Sequence, residues 1–405
     1  MKALVYDRAA VRFAAARLAG EVSPGRGARV GPLRLRDIDP VELPGPEWRR
    51  VSPLLSGICG SDLATIDGHT SRYFESIVSF PFVLGHEVVG ELADGGPDDG
   101  ARVVVQPVLS CATRGVDPPC EACAAGHVGG CRMVAFGHLK PGLQTGFCAD
   151  TGGGWSTGLV AHPSQLHVVP DDLSDEEAVM VEPTACGVHA ALSAGDLDGR
   201  VVAVLGAGTL GLVTLAALSR HWSPGRVVIS AKHPEQRRLA TDLGAHDVVE
   251  PGAMARAVRR HTRSMATASG LSGGADVVFD CVGSAESIEQ ALAVVRPRGR
   301  VVMVGMPPGG ARIDLTPLWH REVELAGAYA YGSEVPADGD EPVSTFELAF
   351  ELVRRAGLGR LVSARYPLDR FAEAVAHASS AGRRGAVKIV FDLRHEYRRP
   401  AWRNQ

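Results

Sequence analysis

The sequence predicts an α/β fold in which a doubly wound parallel sheet is joined to a second, mostly β domain. The chain has 405 residues, enough for two to three domains at about 150 residues each. Residues 1–180 are rich in Gly, Pro and short β-like runs, whereas apolar strands alternate with helical segments from about residue 183 onward. Such alternation is typical of a parallel sheet that is covered on both faces.

Composition and charge exclude several classes of protein. Hydrophobic residues make up 45% of the chain and charged residues 22%, which argues against a largely disordered chain. The net charge of −4 provides no basic field to recruit nucleic acid or an anionic membrane. Asp7 and Arg8 interrupt the first apolar stretch, so no signal peptide is predicted. Glycines divide the long uncharged run from Val201 to Leu218, which favours a strand, a turn and a helix over a membrane span. We therefore expect a cytoplasmic protein with neither a nucleic-acid partner nor a membrane partner.

The predicted parallel sheet lies in the second part of the chain. A helix with Pro in its first turn, Pro183–Ala194, precedes it. Six strands of a parallel sheet complete a doubly wound nucleotide-binding domain. The predicted strands are Val201–Leu205, Val227–Ser230, Asp247–Val249, Asp276–Asp280, Val301–Gly305 and Leu325–Ala328.

The first of these strands runs into a glycine-rich turn, GAGTLG, at residues 206–211. Gly206 permits a tight turn, Gly208 lets the backbone approach a pyrophosphate, and Gly211 lets the following helix pack on the strand. A glycine turn that binds nothing is the alternative, but the six alternating strands favour a dinucleotide site. The residues predicted to bind the cofactor here are Gly206, Gly208, Thr209, Leu210 and Gly211.

The end of the second strand predicts which nicotinamide cofactor is preferred. NAD sites usually carry Asp or Glu there to bind the ribose hydroxyls, whereas this chain has Ala231 after Ser230. Lys232 and Arg237 could pair with the 2′-phosphate of NADP, although both could also be solvated charges at a helix start. We expect NADP(H) to be preferred over NAD(H). The residues expected to contact it here are Ser230, Lys232, His233 and Arg237.

Four cysteines close together predict a structural metal site. Cys120, Cys123 and Cys131 follow the spacing C-x2-C-x7-C, and Cys111 precedes them. In a reducing compartment, clustered thiols indicate a metal rather than disulfides. Four thiolates on a short lobe, about residues 111–131, match a closed tetrahedral zinc site. Free buried thiols are the alternative, but four cysteines in 21 residues are too dense for chance.

A second, more scattered set of residues predicts a catalytic zinc. Cys59, His86 and Glu182 would supply one sulfur, one nitrogen and one oxygen ligand and would leave a fourth position open. Taken singly, each residue is better explained as a buried Cys, a core His or a helix-start Glu. Taken with the other motifs, the three residues favour a metal site.

These motifs together resemble the zinc-dependent medium-chain alcohol dehydrogenases, near the sorbitol and threonine dehydrogenase branch. The resemblance covers most of the chain. It implies a GroES-like catalytic domain of residues 1–182 and a Rossmann cofactor domain of residues 183–329. Residues 330–405 would return to the catalytic domain and end in a C-terminal tail. It also implies a homodimer or homotetramer. The markers, in family order, are Gly57–Asp62, Gly85–Glu87, the cysteine lobe, Glu182-Pro183 and Gly206–Gly211.

The resemblance also assigns roles to individual residues. It implies that Cys59, His86 and Glu182 bind the catalytic zinc, with Glu87 as a carboxylate close to the metal. Asp62 would orient His86 and fix its tautomer. A further set completes the implied site: Ser61 to take the substrate proton, Val282 and Gly305 near the nicotinamide, and Lys388 near the cofactor phosphates.

The sequence departs from the family's pattern in four places. Ala64 stands where many members have a His that ends the proton relay, and Ala231 replaces the acid of the NAD-type branch. An insertion, Ala112 to Pro119, separates Cys111 from the other lobe cysteines. The segment 10–50 is longer than usual and rich in Arg and Pro.

The expected activity is reversible hydride transfer between a nicotinamide cofactor and an alcohol, aldehyde or ketone, with two zinc ions per chain. Two alternatives remain at this point. One is a zinc-independent enoyl or quinone reductase on the same scaffold, and the other is a non-catalytic binding protein that has kept the fold. The presence of the full ligand set argues against both, because neither needs metal ligands.

Overall fold

A computed structural model describes residues 1–310 and 312–395 and divides the chain into two compact units. The first unit comprises Met1–Glu182 and the chain from Gly359 onward, and the second comprises Pro183–Leu358. The return to the first unit therefore begins at Gly359 and not at the expected residue 330. The reason is that the helix Thr345–Ala356 packs against the helix Thr209–His221 of the second unit. Residues 396–405 of the expected C-terminal tail lie outside the described residues.

The N-terminal part of the first unit is mostly β, as predicted. Its strands are β1 (Lys2–Tyr6), β2 (Leu33–Asp37), β3 (Arg49–Gly57), β4 (Phe82–Val83), β5 (Val88–Leu92), β6 (Arg102–Val105), β7 (Leu159–Ala161) and β8 (Leu166–Val168). Its helices are short, apart from the first: α1 (Ala10–Val22), α2 (Gly27–Val30), α3 (Gly60–Ile66), α4 (Glu121–Ala124) and α5 (Asp175–Ala178).

The second unit alternates helices and strands, and α6 (Val181–Ser193) leads into it. Its strands are β9 (Val201–Leu205), β10 (Arg226–Ser230), β11 (Asp247–Val249), β12 (Ala266–Thr267), β13 (Gly270–Leu271), β14 (Ala275–Asp280), β15 (Val295–Met303), β16 (Glu324–Gly327), β17 (Ser333–Glu334) and β18 (Val343–Ser344). Its other helices are α7 (Thr209–His221), α8 (Pro234–Asp242), α9 (Met254–Thr262), α10 (Ala285–Val294), α11 (Thr316–His320) and α12 (Thr345–Ala356).

The chain re-enters the first unit through β19 (Val362–Tyr366), α13 (Phe371–Ala378) and β20 (Lys388–Asp392). Strand β20 pairs antiparallel with β3, so this returning strand lies beside the strand that leads to Cys59. The strands of this sheet follow the order β19-β20-β3-β5-β6-β8, with β7 also pairing with β3. Strands that are far apart in sequence therefore build one mixed sheet.

The central sheet of the second unit has the predicted doubly wound arrangement. Among the described residues it contains six strands in the order β11-β10-β9-β14-β15-β16, and every neighbouring pair is parallel. The order reverses between β9 and β14, which is where such sheets bind their ligands. Strand β15 begins at Val295, earlier than predicted, because Val295 pairs with Ala275 before the register shifts.

The long apolar run from Val201 to Leu218 is explained by this sheet. Its first part is β9 and its second part belongs to α7, with the glycine turn between them. Both elements are largely buried, because apolar strands of a parallel sheet are covered on both faces. Within residues 1–310 and 312–395, no helix is both long and apolar enough to span a membrane.

The long segment after β1 folds into α1 and α2 and is attached to the end of α3. The buried carboxylate of Asp67 accepts backbone hydrogen bonds from Gly25 N at 2.6 Å and from Gly27 N at 2.9 Å. A Cβ atom on Gly27 would collide with the carbonyl oxygen of Ile66, so this close approach requires glycine. The insertion therefore supports the helix that carries Ser61 and Asp62.

Candidate functional site

The first candidate site begins where β3 ends. Cys59 is the N-cap residue of α3, and its backbone N–H donates to Asp62 Oδ2 at 2.9 Å. The local sequence Cys-Gly-Ser-Asp thus caps the helix and places the Cys59 side chain at its N-terminus.

His86 lies beside this cap and is buried. Its Nδ1 atom is 3.4 Å from Oδ1 of Asp62, a carboxylate with no exposed surface. Burial disfavours the imidazolium, but the charges and hydrogen bonds of Asp62 and Cys59 outweigh it and raise the pKa of His86 well above its usual value. The surroundings of His86 therefore favour positive charge, which is the environment that a metal cation would meet. The carboxylate of Asp62 thus lies beside the ring that the resemblance expects it to orient.

One group of possible metal ligands in this region comprises Cys59, His86 and Glu87, whose ligand atoms all lie within 4.8 Å of one another. Glu182, predicted as the third ligand, is not a member of this group. Its buried carboxylate stands at the start of α6, where its charge acts on Lys388. Glu87 is a member of this group because it directly follows His86 in the chain. The set supplies sulfur, nitrogen and oxygen donors in a buried place, and it suits Zn²⁺.

Lys388 takes part in this site through a buried ion pair that the sequence did not predict. Its buried ammonium forms an ion pair with Glu87 Oε2 and donates to the carbonyl oxygen of Ile58 at 3.3 Å. Burial alone would lower its pKa, but the charges of Glu87, Cys59 and Glu182 together raise it. The predicted contact with cofactor phosphates is therefore not what the structure shows, because the ammonium is engaged with Glu87.

Gly57 is the residue that allows this ion pair to form. A Cβ atom at Gly57 would overlap the Glu87 carboxylate and press on the Lys388 side chain. Trp155, which is fully buried, donates from its indole Nε1 to the carbonyl oxygen of Gly57 at 3.1 Å. Trp155 is therefore a core residue that fixes the end of β3.

The four lobe cysteines form a second cluster, as predicted. The sulfur atoms of Cys111, Cys120, Cys123 and Cys131 lie within 4.8 Å of one another. Cys111, which the insertion separates from the other three cysteines in sequence, has its sulfur 3.7 Å from that of Cys131. Backbone N–H groups point at the sulfurs, and two of them, from Arg132 and Cys123, lower the pKa of Cys120 to about 6. Four converging thiols with N–H donors around them fit a closed tetrahedral zinc site.

Arg114, which no sequence motif marks, lies in the insertion within this lobe. Arg114 is fully buried, and its guanidinium donates to a ring of backbone carbonyls. These acceptors are the oxygens of Leu109 at 3.3 Å, Phe136 at 3.0 Å, Leu139 at 3.3 Å, Lys140 at 3.3 Å and Gly142 at 2.5 Å. The insertion therefore supplies a cation that ties the lobe to the segments on either side of it, and only the folded loop reveals it.

In the second unit, the glycine turn has the geometry of a dinucleotide site. Gly206 has a positive φ of 90°, and a Cβ atom on Gly211 would collide with the carbonyl oxygen of Gly206. A Cβ atom on Gly208, by contrast, would meet none of the described protein atoms within 4 Å. This open space faces the start of α7, whose first residues are Thr209 and Leu210. The turn thus offers a place for a pyrophosphate at a helix N-terminus.

The ends of the neighbouring strands frame this turn. Ser230 accepts a hydrogen bond from Gly206 N at 3.0 Å, which links β10 to the turn. Val282, half exposed, lies where a Cβ atom on Gly206 would touch it. Gly305 approaches the backbone of Val282 and Gly283 so closely that a Cβ atom would collide there. The structure therefore gathers Gly206, Ser230, Val282 and Gly305 at one edge of the sheet.

The residues after β10 are arranged differently from the prediction. Ala231 is buried and Lys232 is exposed, while His233 is the N-cap of α8. Arg237 is not an unpaired cation, because it forms an ion pair with Glu250. It also donates from Nε to the Ala231 carbonyl oxygen at 3.1 Å. Glu250 was not among the predicted site residues.

Comparison with known proteins shows the family. Residues 45–171 match the family model described as the alcohol dehydrogenase GroES-like domain, and residues 209–363 match the model described as zinc-binding dehydrogenase. The chain is 30% identical to L-idonate 5-dehydrogenase of Vitis vinifera over 371 residues, covering 89% of this chain and 93% of that protein. It is also 30% identical to sorbitol dehydrogenase of Arabidopsis thaliana, covering 92% of this chain and 99% of that protein.

Solved structures agree with this result. A zinc-binding dehydrogenase from Sinorhizobium meliloti 1021, bound to NADP, superposes with a TM-score of 0.68 at 27% identity. The superposition covers 90% of this chain and 97% of that one. Galactitol-1-phosphate dehydrogenase from Escherichia coli, at 21% identity and a TM-score of 0.68, shares the fold over 97% of this chain and 100% of that one.

The chain therefore belongs to the zinc-dependent medium-chain alcohol dehydrogenase family. It is an oxidoreductase that acts on alcohols with zinc and a nicotinamide cofactor. The expected GroES-like and Rossmann folds are confirmed. The zinc-independent reductase and the non-catalytic binding protein are thereby set aside.

Proposed function

We propose that Cys59, His86 and Glu87 hold the catalytic zinc and that this site interconverts a secondary alcohol and its carbonyl compound. The observation that carries the proposal is the convergence within 4.8 Å of the half-buried thiol of Cys59, the buried imidazole of His86 and the buried carboxylate of Glu87. Three protein ligands leave a fourth position for substrate, which is typical of catalytic rather than structural zinc. The relatives named for L-idonate and sorbitol favour a polyol or sugar-acid alcohol as the substrate class.

When bound, zinc would supply Lewis acidity at the substrate oxygen, and the nicotinamide would supply or accept the hydride. The chain's own residues do the rest. Asp62, whose Oδ1 lies 3.4 Å from Nδ1 of His86, is proposed to orient the imidazole ring. Ser61, on the first turn of α3 and half-buried, is proposed to accept the substrate proton. Lys388 balances the charge of Glu87 inside the site.

The zinc proposal is tested by metal content and turnover together. We expect two zinc ions per chain in the wild type and one in Cys59→Ala, with turnover lost and the fold kept. Glu87→Ala should also lower the zinc content to one, whereas Glu182→Ala should keep two. A wild-type content of one ion would contradict the two-site proposal, and loss of zinc in Glu182→Ala alone would restore the original assignment of the third ligand.

For the cofactor, we propose that NADP(H) is preferred over NAD(H). Ala231 provides no carboxylate for the ribose hydroxyls, and Lys232 is exposed beside it. A charge-assisted hydrogen bond to phosphate contributes roughly 1.5–3 kcal/mol, so one such bond gives about tenfold preference or more. Ala231→Asp should reverse much of the preference, because it adds a ribose acceptor and a repulsive charge. Catalytic efficiency with NADPH and NADH measures both, and a wild type that favours NADH would contradict the proposal.

The assembly and the compartment of the protein are also proposals. Several large apolar side chains are exposed in the second unit, and Trp319 is 78% exposed. Exposed apolar surface of this kind favours self-association, and we propose a homodimer or homotetramer. Sedimentation analysis tests this, and a monomer at micromolar concentration would contradict it. The thiol clusters suit a reducing environment, and we propose a cytoplasmic location.

A further inference from the structure

The inference concerns Glu250, a carboxylate at the edge of the proposed cofactor site. The Arg237 guanidinium forms an ion pair with Glu250 Oε1 and also donates from Nη2 to the Lys232 carbonyl oxygen at 3.1 Å. Its Nε donates to the Ala231 carbonyl oxygen. The cation expected to meet the 2′-phosphate is therefore held between two backbone carbonyls and one carboxylate.

The parallel pairing of β10 and β11 explains why Glu250 lies there. Ser230 is opposite Val249 in the register, and Ala231 N donates to the Val249 carbonyl oxygen at 2.8 Å. Glu250 is the first residue after β11, so the register brings it next to the loop that follows β10. The Arg237 and Glu250 side chains are 39% and 57% exposed. Both are thus accessible to a ligand and neither is a core residue.

We propose that Glu250 is a specificity-determining residue that restrains binding of the 2′-phosphate by competing for Arg237. This inference rests on the proposed function in one respect, namely that the adenosine ribose binds beside Ala231. A dianionic phosphate beside Arg237 would be attracted by the guanidinium and repelled by the neighbouring carboxylate. Glu250 therefore lowers the advantage of NADP(H) over NAD(H) that Lys232 and Arg237 would otherwise give.

The sizes of the charges and their exposure set the expected effect. Partly exposed ion pairs contribute little, and removing one charge from such a pair corresponds to about a two- to fivefold change in an equilibrium constant. Glu250→Gln keeps an oxygen that can accept from Arg237, so the loop geometry is preserved while the charge is removed. Because the effect is electrostatic between exposed groups, it should shrink as salt is raised.

The test measures binding directly, by calorimetric titration of the zinc-loaded protein with NADPH and with NADH. For Glu250→Gln we expect the Kd of NADPH to fall about two- to fivefold at low salt and the Kd of NADH to change by less than about 1.5-fold. Asp242→Asn is the matched control. Asp242 lies on α8, the helix that carries Arg237, but its carboxylate pairs with Arg238 and not with Arg237. It should leave both Kd values within about 1.5-fold.

The outcomes separate this inference from the proposed cofactor preference. The preference is judged on the wild-type ratio of the two Kd values, and the inference is judged only on how Glu250→Gln moves that ratio. An unchanged ratio in Glu250→Gln, or an equal change in Asp242→Asn, would overturn the inference whichever cofactor the wild type prefers. A wild type that prefers NADH, together with a ratio that moves toward NADPH in Glu250→Gln, would support it. If the Tm of Glu250→Gln is clearly lower than that of the wild type, Glu250→Ala provides the same comparison.

Discussion

Replacing Lys388 by methionine should destabilise the first unit strongly, although the substitution keeps most of the side chain's volume. Lys388 and Glu87 are 2% and 1% exposed, and each is the other's main counter-charge in the protein. Removing one partner of a buried ion pair leaves the other charge buried and uncompensated, which costs about 3–5 kcal/mol. Zinc bound at Glu87 would offset part of this, so we expect about 3 kcal/mol for the zinc-loaded enzyme.

The loss of stability in Lys388→Met is measured as a shift in Tm and is checked by a double-mutant cycle. At about 2–4 °C for each kcal/mol in a domain of this size, Lys388→Met should lower the Tm by roughly 6–12 °C. Glu87→Gln removes the charge that Lys388 leaves behind, so Lys388→Met combined with Glu87→Gln should be less destabilised than the sum of the single variants. We expect a coupling of about 1–3 kcal/mol between these two contacting residues.

An exposed ion pair provides the control for this cycle. Lys140 contacts Asp150 at 2.9 Å, and its side chain is 64% exposed. Lys140→Met also removes a lysine ammonium, but from an ion pair that is exposed to solvent. It should lower the free energy of unfolding by less than about 1 kcal/mol. Equal Tm shifts for Lys388→Met and Lys140→Met, or additive effects in the cycle, would refute the view that Lys388 compensates a buried charge.

Two further predictions follow. Cys123→Ser opens the cysteine lobe, so it should lower the zinc content from two ions to one and lower thermal stability, whereas Cys148→Ser, outside the cluster, should keep both ions. Unchanged zinc in Cys123→Ser would show that the lobe is not a metal site. Burial lowers the pKa of His167 to about 4, so the folded state binds fewer protons than the unfolded state between pH 6.5 and 4. Stability should therefore be complete above pH 6.5 and should fall by about 1–2 kcal/mol by pH 5, and urea unfolding of His167→Gln should lose this part of the pH dependence.

The Rossmann unit was predictable because its signals are local. An apolar strand, a glycine turn and a helix are neighbours in sequence, and β9, β10 and β11 begin within a residue of the prediction. The mixed sheet of the first unit was not predictable in the same way. Its order places β20 between β19 and β3, and no local pattern near residue 50 indicates a partner strand near residue 390.

The same distinction applies to the sites. Cys59 and His86 were found because each sits in a short motif, and the four lobe cysteines because they are dense. The role of Lys388 was missed because its hydrogen bond to Ile58 joins residues 330 positions apart. Glu250 was missed because its position depends on the register of two parallel strands. Residues that follow adjacent parallel strands lie close together, however, and the predicted strands Val227–Ser230 and Asp247–Val249 could therefore have pointed to Glu250.

The charges buried around Cys59 give a further reason to place a divalent cation there. Asp62, Glu87 and Glu182 are buried carboxylates, and Lys388 is the one buried ammonium that pairs with them among the described contacts. With Cys59 as a neutral thiol and His86 as the neutral imidazole that a metal ligand must be, three negative charges and one positive charge leave a surplus of two negative charges. Uncompensated buried charge is costly, and a divalent cation removes this surplus. Once the thiol of Cys59 gives up its proton to become a ligand, one negative charge remains within the protein. That remaining charge is small enough to leave the metal electrophilic toward a substrate oxygen. The ion pair of Lys388 with Glu87 is what keeps it small, so the buried ammonium of Lys388 and the reactivity of the proposed zinc site are parts of one electrostatic balance.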